Sequence, residues 1–268
     1  MAVREPAVAG TFYPDNSAVL RDFGFSHLKN PSALSPAKAV MLPHAGYLYS
    51  GETACRVLSK IKIPQTIFLI GPNHQGLGAD FALFGHGEWK TPLGHVRIAS
   101  ELAGALSQAS PHIEEDHEAH LFEHSLEVEI PLLQMKNPDI QIVPLLIGTL
   151  DLERAAEVAQ ACAAVIAAWP KPVLIVISSD MNHYEDDEQT RFKDRYALDA
   201  IEKLDAQALA QAIRLHRISM CGFVPAFMFL NMANTLGIHK ATLVDYQTSA
   251  RVTRDYSRVV GYAGFFFD

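Results

Sequence analysis

Short apolar runs alternate along the chain with longer stretches of helical period. The runs that read as strands are Ala39–Leu42, Thr66–Ile70, Asp80–Gly85, His95–Ile98, Ile140–Ile147, Val173–Ser178, Ala241–Tyr246 and Ser257–Phe267. Most are rich in Val, Ile, Leu or Phe and bounded by Gly, Pro, Asn or Asp. Helical patterns fall near Gly51–Ile61, Ser100–Ser110, Asp151–Ala168, Arg191–Leu204, Asp205–Leu215 and Val224–Leu236. In Asp151–Ala168 an acidic first turn leads into alanine-rich helix formers, and Pro170 stops them. Strand–helix alternation with nearly continuous apolar strands predicts an α/β fold. It has a largely parallel, mixed sheet between two helix layers, a three-layer αβα sandwich. Asp80–Gly85 and His95–Ile98, joined through TPLG, read as an antiparallel hairpin. No repeat or Pro/Gly/Ser-rich linker divides the chain, so residues 1–268 are expected to form a single domain.

Composition narrows the class. The formal charge is −8 and no Lys/Arg-rich run is present, which argues against nucleic-acid or anionic-membrane binding, since phosphate recognition needs a basic patch. No segment approaches the roughly 18 apolar residues of a membrane span, and the start has no secretory pattern. The three cysteines, Cys55, Cys162 and Cys221, lack framework spacing. Together these predict a cytoplasmic protein.

Polar chemistry gathers where strands end. Ala39–Leu42 runs into PHAGYLYSG and delivers His44; Thr66–Ile70 runs into GPNHQG and delivers His74; Val173–Ser178 leads to Asp180 and His183. In open α/β sheets the ligand crevice lies outside the carboxyl ends of the strands, so three strands would bring imidazole and carboxylate groups to one place. A lone histidine after a strand is as often a hydrogen-bonded loop residue; threefold repetition favours a site. Tyr47, Tyr49, Tyr184 and Tyr246 could shape an apolar pocket there or serve as packing.

The segment EDHEAHLFEHSLEVEIPLLQ is dense in His and Glu. On a helix His120, His124 and Glu127 share a face, but no Glu directly follows His120 as an H-E-x-x-H metalloprotease requires. His124 and Glu127 are expected to line the pocket, and His117 and Glu118 to be solvated. Cys221, between Met220 and Gly222, precedes an apolar helix whose N-terminal partial charge would favour thiolate. Cys55 and Cys162, inside helical patterns, read as inert.

In order along the chain, REPAVAGTFYP, PHAGYLYSG, IGPNHQG, TPLG, EHSLEVEIPLLQ, ISSDMNHYE, SMCG and VVGYAGFFF resemble the Memo family, which includes a prokaryotic branch termed AmmeMemoRadiSam system protein B. The resemblance implies a fold like that of the LigB-type class III extradiol dioxygenases. It also implies a metal set of His44, His74 and Cys221, with His183 in acid–base chemistry and Asp180 orienting a neighbour. His124 joins them as a pocket residue with a catalytic role. The implied cofactor is iron (Fe2+), with copper or zinc as alternatives. Implied partners are a small-molecule or peptide ligand in the cleft, a radical-SAM protein and one further companion. Ring-cleaving enzymes use two His and a carboxylate; a thiolate in that place argues against catechol cleavage and leaves redox chemistry open.

Three functions follow: a non-haem iron oxidoreductase, a metal-free enzyme with Cys221 as nucleophile and His183 or His44 as base, and a binding module using the same cleft.

Overall fold

The computed structural model describes residues 2–29 and 34–268. Among them the strands in chain order are β1 (Val3–Arg4), β2 (Ala39–Leu42), β3 (Thr66–Pro72), β4 (Phe81–Leu83), β5 (Glu88–Thr91), β6 (Gly94–Ile98), β7 (Glu114–Glu115), β8 (Gln141–Ile147), β9 (Val173–Ser178), β10 (His183–Glu185), β11 (Ala241–Thr248) and β12 (Val259–Phe267). The helices are α1 (Ser17–His27), α2 (Glu52–Leu58), α3 (Ser100–Ala109), α4 (Ile130–Lys136), α5 (Leu152–Ala168), α6 (Asp187–Glu202), α7 (Ala206–His216), α8 (Phe223–Ala233) and α9 (Ala250–Thr253).

The most apolar runs occupy the middle of the sheet. β3 lies parallel between β8 and β9, and β2 lies parallel on the far side of β9. All seven residues of β3 are buried, as strands covered on both faces must be. The flanks are mixed. β12 runs antiparallel to β2 and β11, and the β5–β6 hairpin continues the sheet toward β1. The predicted α/β sandwich is the observed architecture.

Alternation along β12 fixes the two helix layers. A Cβ on Gly264 would lie 2.6 Å from Val57 Cγ2 and 3.0 Å from Thr53 Cγ2, both on α2. Phe267, an odd number of residues away, faces the other side, where its ring centroid is 4.5 Å from that of Phe229 on α8. One face of the sheet therefore carries α2, and the other carries α8 with α5 and α3 packed beside it. Gly264 is required because helix and sheet approach too closely for any side chain.

Register places the site. Leu42 pairs with Ser178 and Ile70 with Ile177, so β2, β9 and β3 finish at nearly one level. Whatever follows each strand emerges at the same sheet edge.

Several expectations are corrected. The antiparallel hairpin is Glu88–Thr91 with Gly94–Ile98; Phe81–Leu83 pairs instead with β8 and β7. EWKT is short and has one apolar residue in four, so it gives no strand signal for β5. The His/Glu-rich segment is not one helix: it makes 3-10 turns at Glu118–His120 and Glu127–Glu129 and then enters α4 at Ile130 with Pro131 in its first turn. His120, His124 and Glu127 therefore share no helical face. α1 was hidden by Gly24 and by a mostly exposed surface; its cap Asn16 accepts hydrogen bonds from the Ala18 and Val19 amides.

Candidate metal centre

His44 stands two residues beyond β2, His74 two beyond β3, and Asp180 two beyond β9, all at the same edge. Cys221 joins them from the turn before α8, and Gly222 explains how. A Cβ there would sit 2.4 Å from Ser178 O and 2.3 Å from Ser179 Cβ. Only glycine lets this turn press onto the end of β9, where the Gly222 amide donates to Ser179 Oγ at 3.0 Å.

The donor atoms of His44, His74 and Cys221 all lie within 4.8 Å of one another. Cys221 Sγ is 3.2 Å from His44 Nε2, close to the roughly 3.5 Å edge expected between N and S ligands of one tetrahedral ion. Each imidazole is held from behind. His44 Nδ1 is 2.7 Å from Ser178 Oγ, whose hydroxyl donates to Ser125 O at 2.6 Å. The serine oxygen is thus left to accept from Nδ1–H, and the Nε2 lone pair faces Cys221. His74 Nδ1 is 2.9 Å from Glu123 Oε1, which leaves Nε2 of that ring free as well. Back-side hydrogen bonds that fix ring and tautomer are what metal-binding histidines require, so this donor set fits a metal ion.

Electrostatics agree with a neutral, ligand-competent His44. Burial, reinforced by His74, His124 and His183, drives His44 well below the ordinary histidine range. Burial also lowers His124 and His183. Glu123 would be raised by its burial, but the hydrogen bond and charge of His74, with the Ser125 amide, hold it at about 2. Burial raises Asp180 to about 7 against the His44 and Ala45 amides that bond it. Burial, then Asp180, pushes the Cys221 thiol far up. The expected lowering by the α8 N-terminus is overridden, so in the metal-free protein Cys221 is a thiol.

The other predicted residues divide. His124 reaches the centre, its ring centroid 4.7 Å from His74 and 5.4 Å from His44. Asp180 Oδ1 accepts from the His44 amide at 2.9 Å and so orients that residue. His183 Nδ1 is engaged with Ser219 O at 2.8 Å. Glu127 does not line the pocket: it accepts from Arg4, Tyr13 Oη and the Ala7 and Val8 amides. His117 is only partly exposed: it stacks on Phe84 at 3.9 Å. Tyr47 is core and donates to Val128 O, and Tyr246 donates to Asp194. Ser178, Glu123 and Ser219 carry no signal in the sequence, because their role depends on which strand end meets which loop.

Asp194 also bonds the Asn182 amide, one residue before His183. Burial raises it from 3.8 to about 6, against the opposing hydrogen bonds of Tyr246 and Asn182. A carboxyl with a raised folded pKa contributes stability at low pH that is lost as pH rises from about 4 to about 6, here up to about 3 kcal/mol. Asp194→Asn is expected to remove that loss. Urea midpoints of wild type and variant should differ by a margin that changes across this window, and parallel curves would refute the assignment.

A cavity of about 880 Å3 lies at the opposite strand ends, lined by Lys38, Lys62, Thr66, Lys171 and Val173 among others. Among the described residues it gathers no metal-ligating set, whereas the carboxyl ends bring His44, His74 and Cys221 together. No helix among the described residues is long and apolar enough to cross a membrane.

Comparison with known proteins agrees in fold and in sequence. A crystal structure of an uncharacterized protein from Escherichia coli K12 superposes with a TM-score of 0.56, covering 83% of this chain and 98% of that one at 15% identity; it shows the fold alone. A MEMO1 family protein of Aquifex aeolicus is 41% identical over 273 residues, covering 100% of both chains. Relatives of the same description from Archaeoglobus fulgidus (38% identical, 99% of each chain) and Methanopyrus kandleri (36%, 98% of each) match similarly. The family model described as Memo-like protein matches residues 4–266. That span takes in every strand end, turn glycine and histidine from which the centre is built, and the chain belongs to the Memo family.

Proposed function

We propose that this Memo-family protein is a metal-dependent oxidoreductase whose non-haem iron is held by His44, His74 and Cys221. The convergence of those three donors, with both Nδ1 atoms tied back, carries the reading. Bound iron would supply a redox-active, Lewis-acidic centre with positions left open for substrate. The chain's own groups do the rest. Ser178 and Glu123 orient the imidazoles, Asp180 holds the His44 backbone, and His183, its Nδ1 set on Ser219 O, would hold or move a proton at the ring. His124, stacked on His74, narrows the approach. A thiol kept protonated by burial makes a metal-free Cys221 nucleophile the weaker alternative. Three free cysteines suit a reducing, cytoplasmic setting.

Anaerobic purification, metal analysis and electron paramagnetic resonance with nitric oxide test this. Near-stoichiometric iron and a nitrosyl signal that changes in Cys221→Ser are expected. A metal-free protein with an iodoacetamide-reactive Cys221 would move it to the thiol enzymes. Copper or zinc in place of iron would overturn the metal assignment. Partner capture indifferent to loss of all three ligands would favour a binding module.

A further inference from the structure

A second set of ligand-type side chains lies away from the centre. Leu83 pairs with Glu115 where β4 and β7 run parallel, and His86 and His117 flank that pair just beyond the two strand ends. β4 is antiparallel to β8, so it carries the chain away from the edge where His44 and His74 emerge. The donor atoms of His86, Glu115 and His117 lie within 4.8 Å of one another.

The arrangement is held in place. His117 stacks flat on buried Phe84, centroids 3.9 Å apart and planes 9° apart. Glu115 rests against Gly85, where a Cβ would meet its carboxylate at 3.1–3.3 Å. His86 forms an ion-pair contact with Glu115 and its ring centroid is 4.6 Å from that of His117. An ordinary His–Glu pair would account for two of the three. It leaves His117 Nε2 unexplained: that atom is buried and has no hydrogen-bond partner, with Glu115 Oε1 its ion-pair neighbour at 3.4 Å. A buried ring nitrogen left unbonded is costly, on the order of 1–3 kcal/mol.

The geometry points to a second, surface metal site in which His86, Glu115 and His117 bind a zinc ion. Two imidazoles and one carboxylate are a borderline donor set suited to zinc, and a fourth position completed by solvent matches the exposure of His86 and Glu115. The ion would satisfy His117 Nε2 and take the place of the direct His86–Glu115 contact. This site shares no ligand with the iron centre.

Zinc titration of metal-stripped protein, followed calorimetrically and with cobalt as the absorbing probe, tests it. His44→Ala/Cys221→Ser should still bind one equivalent, with a cobalt spectrum lacking thiolate charge transfer. Adding His117→Ala or Glu115→Gln should weaken that binding at least about tenfold. Conversely, His86→Ala/His117→Ala alone should lower the wild-type stoichiometry by one and leave the thiolate band intact, a readout that does not require the first double variant to fold. No zinc bound by the His44→Ala/Cys221→Ser protein while it remains folded, or binding unmoved by His117→Ala, overturns the site. Wild-type protein that binds a single equivalent with no thiolate band, lost on His117→Ala, would leave this site standing and count against the proposed centre at Cys221 instead.

Discussion

Arg4→Met is expected to lower stability by about 3–5 kcal/mol, because it removes one partner of a buried ion pair and leaves the other. The Arg4–Glu127 contact is 2.6 Å and both side chains are essentially inaccessible, at 0% and 1% exposure. The guanidinium does more than neutralise Glu127. It donates to His120 O and Glu123 O, each at 2.7 Å, and lies 4.2 Å over the Trp89 ring. Arg4 thus ties β1 to both ends of the loop that delivers Glu123 and His124. A chain of this size should melt on the order of 10 °C lower. Thermal and urea unfolding measure the loss, and a double-mutant cycle with Glu127→Gln separates pairing from packing. Additivity of the two changes within about 0.5 kcal/mol would mean that the pair is not the source.

That network shows what the sequence could convey. Central strands were legible because burial on both faces demands unbroken apolar runs, and three of those runs end in His44, His74 and Asp180. Arg4 carried no such signal. A buried arginine looks like a surface one until the chain brings Glu127 to it from 123 residues away. The His/Glu-rich segment misled for a related reason. Helical spacing aligned His120, His124 and Glu127, but Asp116 caps the local turn by accepting from the Glu118 and Ala119 amides, and His120 is turned inward to Ala82 O. Side-chain capping of the backbone won over helical periodicity. Cys221 was legible through its Gly neighbour, but its protonation was not, since burial is a property of the assembled site.

Glu123→Gln should have the second largest effect, felt at the centre itself. One carboxylate accepts from four donors: the amides of His74, His124 and Ser125, and the His74 ring nitrogen. An amide keeps one accepting oxygen and turns an NH2 group toward donors that then have no partner. A stability loss of about 2–4 kcal/mol is expected from charge-assisted bonds of this kind. The change also frees the His74 ring to rotate and to carry its proton on either nitrogen, so affinity for a metal at His44, His74 and Cys221 should fall about 10–100-fold. Anaerobic Fe(II) titration of the folded variant gives that ratio. Ser178→Ala provides the parallel test on His44, whose Nδ1 loses its acceptor while the loop amides keep Glu123. If both variants bind iron as tightly as wild type, the imidazoles are positioned by packing alone, and the buried carboxylate serves the loop rather than the metal.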